Sequence, residues 1–128
     1  MKKPTKLKVA AIMDEFTYCC FAPECELMQL TPDNCIDEID NFNPDLLFIE
    51  SVWFGKEGLW RYKINDNLDI ITRLVQQCKI KNIPVVFWSK EDPVHFGDFC
   101  CVAALADYVF TTDAECVELY KCQLGHNR

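Results

Sequence analysis

One short stretch gathers a cation, two carboxylates and an imidazole. An apolar run ends at Trp88, and Ser89-Lys90-Glu91-Asp92-Pro93-Val94-His95-Phe96 follow before a helical pattern resumes. His95 falls at the start of that predicted helix. The positive end of the helix dipole disfavours an imidazolium there, so His95 can act as a neutral base or hydrogen-bonding group. Asp92 is placed to orient it. The same residues also read as a capped helix start, Asp92-Pro93, with Lys90 and Glu91 in solvent, and the residues alone leave both readings open. A second candidate is Trp53-Phe54-Gly55-Lys56-Glu57-Gly58-Leu59-Trp60. Two indoles and two glycines suit a loop lying against a sugar or another flat ligand. They suit equally a loop that folds its aromatics over the core.

The elements that position these residues follow from periodicity. Leu7–Met13, Asp45–Glu50 and Val85–Trp88 are short apolar runs, as expected of parallel strands buried on both faces; Glu26–Leu30 is a weaker strand and Tyr108–Thr111 a fifth. Between them lie helical patterns. Residues 14–22 suit a short helix. Thr31-Pro32 offers an N-cap and first-turn proline to a helix carrying Cys35, Ile36, Ile39 and Phe42. A helix over about Asn67–Lys81 presents Leu68, Ile71, Leu74, Val75 and Cys78, and another presents Phe96, Phe99, Cys100 and Ala103. Asp113 caps a last helix with Cys116, Val117 and Tyr120 inward and Gly125 at its end. Five β-α repeats imply an α/β fold: a three-layer, Rossmann-like single domain over 1–128, with a five-stranded parallel sheet, expected order 3-2-1-4-5, and helices on both faces. Ligands of such sheets bind beyond the carboxyl ends of the strands, near the reversal in strand order. Asp14 and Glu15 follow the first strand, Glu50, Ser51 and Trp53 the third, Ser89–Phe96 the fourth, and Thr112 and Asp113 the fifth.

Composition narrows the classes. The chain has 128 residues, half of them apolar, with 13 basic against 20 acidic residues and a net charge of −7. At this length a domain buries about 68% of its unfolded surface, enough for a core. Four glycines and six prolines exclude collagenous and low-complexity chains. No apolar run approaches the roughly 20 residues of a membrane span. Leu7–Met13 is too short for a signal peptide, and the chain reads as cytoplasmic. Basic residues cluster only at Lys2-Lys3-Lys6-Lys8, so no nucleic-acid partner is expected. The nine cysteines are odd in number and include no C-x-x-C spacing. They read as reduced structural thiols, with Cys35, Cys78 and Cys116 on apolar helix faces, in preference to a metal site at Cys19, Cys20 and Cys25.

Several motifs are missing: G-x-G-x-x-G, the P-loop and G-x-S-x-G. Asp14-Glu15 resembles the acid pair of phosphoacceptor receiver domains. That family also ends its third strand with Asp and its fifth with Lys, where this chain has Glu50-Ser51 and Thr111-Thr112.

A longer series carries a different resemblance. Met13-Asp14-Glu15-Phe16-Thr17, Leu30-Thr31-Pro32, Pro44-Asp45-Leu46-Leu47-Phe48-Ile49-Glu50-Ser51, and Phe87–Phe96 occur in order, then Asp107–Asp113 and Tyr120-Lys121 with Leu124-Gly125-His126. Over nearly its whole length the chain resembles the N-terminal half of bacterial glycosyltransferases of the spore-maturation and teichoic-acid-biosynthesis type. Lys90-Glu91-Asp92-Pro93-Val94-His95-Phe96 is the most specific part, and Ser89 stands where that family commonly has Asn. The resemblance implies one half of a two-domain GT-B enzyme. This half holds a glycan or polyol acceptor, and the nucleotide-sugar binds only through a second domain. No cofactor or metal is implied. The chain is expected to be inactive alone, with peripheral membrane association and homo-oligomerisation left open. His95 and Asp92 would line the cleft, with Asp14 and Glu15 on its other wall. His95 or Asp14 is the candidate general base for an acceptor hydroxyl. Glu15, Glu50, Trp53, Ser89, Lys90, Glu91 and Asp92 are the candidate substrate-binding residues. The competing readings are a noncatalytic Rossmann-like binding or interaction module and a small redox or metal protein.

Overall fold

The computed structural model describes residues 5–61 and 68–125. Lys2, Lys3, the expected helix start at Asn67 and His126 lie outside them. The elements run β1 (Lys8–Ile12), α1 (Glu15–Phe21), β2 (Glu26–Gln29), α2 (Cys35–Phe42), β3 (Leu46–Glu50), a 3-10 turn (Lys56–Gly58), α3 (Asp69–Ile80), β4 (Val85–Ser89), α4 (Phe96–Ala103), β5 (Tyr108–Thr111) and α5 (Ala114–Leu124). All five strands are parallel, with Ala10 beside Leu47, Leu47 beside Val85, and Val86 beside Tyr108.

The strand order is 2-1-3-4-5, which corrects the expected 3-2-1-4-5. The β-α alternation fixes parallel pairing but not where the chain reverses direction across the sheet. Burial explains the outcome. β3 is Leu-Leu-Phe-Ile-Glu and takes the centre, whereas β2 is short, carries Glu26 and Gln29, and is nowhere fully buried. A weak polar strand belongs at an edge and an apolar one inside. The reversal therefore lies between β1 and β3.

The two faces of the sheet are unequally covered. Ala10, Ile12, Leu47, Ile49, Val85 and Phe87 point to one side. There they pack with Cys35 and Ile39 of α2, Ile71, Leu74, Val75 and Cys78 of α3, Phe99 and Val102 of α4, and Cys116 and Tyr120 of α5. On the other side Val9, Ala11 and Met13 pack beneath Tyr18 and Phe21 of α1. Among the described residues helices thus lie on both faces, but four on one and a single short one on the other.

Two helix details differ from expectation. α2 starts at Cys35, three residues past Pro32. Thr31 and Asn34 close a turn ahead of it, the Thr31 N–H donating to Asn34 Oδ1 (2.8 Å) and the Asn34 N–H to Thr31 Oγ1 (3.3 Å). Val117 is exposed while Cys116 and Tyr120 face the core, because one turn of α5 offers only a narrow inward stripe. Among the described residues no helix is long and apolar enough to cross a membrane.

Candidate functional site

The carboxyl ends of β1, β3 and β4 meet in an ionic lock. Glu50 closes β3 fully buried, which a carboxylate tolerates only with partners. It has three. Thr17 donates its hydroxyl to Oε1, the Asp14 N–H donates to Oε2 at 2.8 Å, and Lys90 Nζ lies 3.4 Å from Oε1. Lys90, the first residue beyond β4, also donates to Asp14 Oδ2 at 2.7 Å. Its N–H donates to the buried Ser51 hydroxyl at 2.9 Å. Burial works to lower the Lys90 pKa, but the Asp14 and Glu50 carboxylates outweigh it and hold the value above the usual lysine range. The second Asp14 oxygen accepts from the Gly55 N–H at 3.0 Å. Both oxygens of Asp14 are engaged, so its arrangement is that of a clamp joining three strand ends to the 53–55 loop.

That loop divides the two indoles. Trp60 is fully buried, donating Nε1–H to the Leu30 carbonyl at 2.9 Å. Gly55 has φ +67°, and a Cβ there would lie 2.6 Å from Trp60 Cδ1, so close approach and a left-handed backbone both require glycine. Trp60 is the indole that folds over the core. Trp53 stays half-buried, with its ring edge-on to Phe99 and His95, centroids 4.9 Å apart in each case. Trp53, Phe54, Arg61 and His95 line an open cavity of about 390 Å³. The Arg61 guanidinium lies 5.7 Å from the centre of the Phe54 ring.

His95 caps α4 and its partner is Asp98, with Nδ1 to Oδ2 at 2.9 Å. The expectation that Asp92 orients His95 is corrected. Asp92 turns to the other side, accepting from Thr111 Oγ1 at 2.6 Å and from the Tyr120 hydroxyl at 2.9 Å. Burial first, and the Asp92 charge with it, raise the Tyr120 pKa well above the usual phenol range, so Tyr120 remains a donor. Asp92 thereby ties the β4 exit to β5 and α5. Ser89 is buried beside the Tyr120 hydroxyl. Glu91 contributes its carbonyl, which accepts from the His95 N–H at 2.9 Å. Glu15 is exposed, with the Cys19 thiol 3.8 Å away.

The structure therefore brings His95, Trp53, Asp14, Glu50 and Lys90 to one edge. It leaves Glu15 at the surface and assigns Asp92 to a scaffold. Asp98, Arg61 and Tyr120 escaped the sequence reading as site or support residues, whereas Ser51 was placed at this edge. Only Asp98 had a local signal, its i,i+3 spacing from His95. A hollow of about 460 Å³ at the opposite edge, lined by Lys79, Asn82, Asp107 and Tyr108, holds no comparable group; Asp107 is spent on the Val85 N–H at 2.8 Å. Among the described residues, no three His, Cys, Asp or Glu are placed to share a metal.

No family model matches the chain. No curated protein sequence matches it either. Among solved structures it is similar to one described as the signal receiver domain of the response regulator NarL from Mycobacterium tuberculosis. The identity is 13% and the TM-score 0.46, over 94% of this chain and 95% of that one, a likeness that concerns the fold.

Proposed function

We propose that this chain is the acceptor-side domain of a glycosyltransferase that moves a sugar from a nucleotide-sugar to a cell-envelope or surface glycan. One observation carries the reading: Trp53 and His95 share a wall of an open cavity at the carboxyl edge of a parallel sheet. Aromatic faces bind the apolar faces of sugar rings, and an imidazole beside them can take a hydroxyl proton. Asp98 holds Nδ1, which leaves Nε2 as the basic nitrogen. In the proposed step His95 accepts the acceptor hydroxyl's proton. The freed oxygen bonds to the anomeric carbon, and the nucleotide diphosphate leaves with the electron pair of the broken bond. A second domain presents that donor. Asp14 does not compete for the role, because both its oxygens are engaged.

The test is a titration of the chain, followed by nuclear magnetic resonance, with a pool of cell-envelope oligosaccharides and separately with UDP-glucose. The expected result is saturable shifts at the Trp53 indole and His95 ring with oligosaccharide, lost in Trp53→Ala, and none with UDP-glucose. Stoichiometric UDP-glucose binding, or oligosaccharide shifts that avoid Trp53, would overturn the reading.

A further inference from the structure

On the sparsely covered side of the sheet, two deficits lie next to each other. The first is a strip over β3, β4 and β5 that is bare among the described residues. Phe48, Trp88 and Phe110, with Phe21 of α1, line an apolar groove of about 330 Å³ there. Tyr108 and Phe110 are 54% and 58% exposed. β4 alternates buried with half-buried residues because only one of its faces is covered. Parallel sheets ordinarily carry helices on both faces. Three strands about 4.8 Å apart make a strip roughly 10 Å across, the width of one helix.

The second deficit is α1 itself. Its sequence is Glu-Phe-Thr-Tyr-Cys-Cys-Phe, with its one charge at the start. Tyr18 and Phe21 pack inward, and Phe16 and Cys20, one turn apart, face outward together with Cys19. Phe16 is 81% exposed. A helix apolar on both sides belongs in an interior. A smaller hollow lined by Phe16, Cys20, Phe21 and Trp88, with Thr17 and Lys90 at its polar end, joins the outer side of α1 to the strip, so the two are one continuous surface.

We infer that this surface is the interface of a two-fold homodimer, in which the outer side of each α1 seats on the bare strip of the other copy. A two-fold contact requires both complementary halves on the same patch of one subunit, as they are here. The strip lacks one helix, and the helix lacks one cover. The areas agree as well. Phe16, Tyr108 and Phe110 leave about 400 Å² of aromatic surface accessible. With the groove floor added, that approaches the apolar share of the roughly 800 Å² each partner buries in a standard interface. The Trp53–His95 cavity is lined by none of these residues, so the dimer does not depend on the proposed acceptor site.

Sedimentation equilibrium of the reduced 128-residue chain tests the proposal. The expected mass is twice 14.9 kDa. Phe16→Glu and Phe110→Glu should each raise the dissociation constant by about 30-fold or more. Leu119→Glu, at an exposed position of α5 on the opposite side of the sheet, should leave it unchanged. Far-ultraviolet dichroism checks each fold, and Phe16→Ser or Phe110→Ser replaces a glutamate variant that unfolds. A monomeric wild-type chain overturns the proposal, and so does a dimer that survives either substitution. Equal dissociation by Leu119→Glu overturns it too, since the association would then be nonspecific.

Discussion

Replacing Lys90 with Met removes the cation that pairs with Asp14 and Glu50 and leaves Glu50, fully buried, beside Asp14. Deleting one partner of a buried ion pair costs about 3–5 kcal/mol. Two features of this site reduce that figure. The Lys90 side chain keeps 26% of its surface accessible, and Glu50 retains the Thr17 hydroxyl and the Asp14 N–H. We expect a loss of about 2–3 kcal/mol, read as a fall of about 10 °C in Tm for a chain of this length. Urea unfolding followed by tryptophan fluorescence measures it. Glu50→Gln keeps an acceptor but removes the charge, so the double variant should be more stable than the sum of the singles by about 1–2 kcal/mol. pH gives a second readout. The Lys90 pKa is raised in the folded chain above its ordinary 10.5. Its stabilisation is therefore complete below pH 10.5 and lost as pH climbs through the folded value. The stability gap between wild type and Lys90→Met should stay constant from neutrality to pH 10.5 and close above it. A variant within about 0.5 kcal/mol of wild type, or strict additivity with Glu50→Gln, would refute the lock.

Four further outcomes are expected. Gly55→Ala should cost about 2–4 kcal/mol in urea unfolding, because φ is +67° and the new Cβ meets the Trp60 ring at 2.6 Å. Trp60→Phe should cost about 2–3 kcal/mol in the same assay through an orphaned Leu30 carbonyl and a void. Tyr120→Phe should cost about 1–2 kcal/mol by removing a donor from Asp92. Alkylation of the native chain, read by mass spectrometry, should label the exposed Cys101 and Cys122 and spare Cys35, Cys78 and Cys116. Burial pushes the Cys78 thiol up to about 12, so Cys78 should be the slowest to react.

The fold was legible wherever burial is periodic. Ala10, Ile12, Leu47, Ile49, Val85 and Phe87 recur at the two-residue spacing of a sheet face, and Ile71, Leu74, Val75 and Cys78 at that of a helix. The edge that gathers the site was legible too, since strand direction alone places Asp14, Glu50 and Lys90 at one end. Partner choice within that edge was not. Asp92 and His95 are near neighbours in sequence, yet Asp92 bonds to Thr111, 19 residues away, and Tyr120, 28 away. Such pairings depend on how β4, β5 and α5 pack, which local spacing does not encode. Trp53 and Trp60 sit in the same loop and look alike in sequence. Only the Gly55 turn sends one inward and leaves the other at the cavity.

The strand order is the instructive exception, because the charged residues themselves discriminate between the two arrangements. With order 3-2-1-4-5, β3 would lie on an edge, two strands from β1 and three from β4. Neighbouring strands are about 4.8 Å apart, so Glu50 would stand roughly 10 Å from the end of β1 and 14 Å from Lys90. Neither distance permits a hydrogen bond, and a carboxylate closing an apolar strand would face the core alone. Placing β3 between β1 and β4 sets Glu50 between Asp14 and Lys90 and supplies every partner it has. The requirement that a buried carboxylate find a cation thus selects the central position of β3, a constraint that apolar periodicity does not contain.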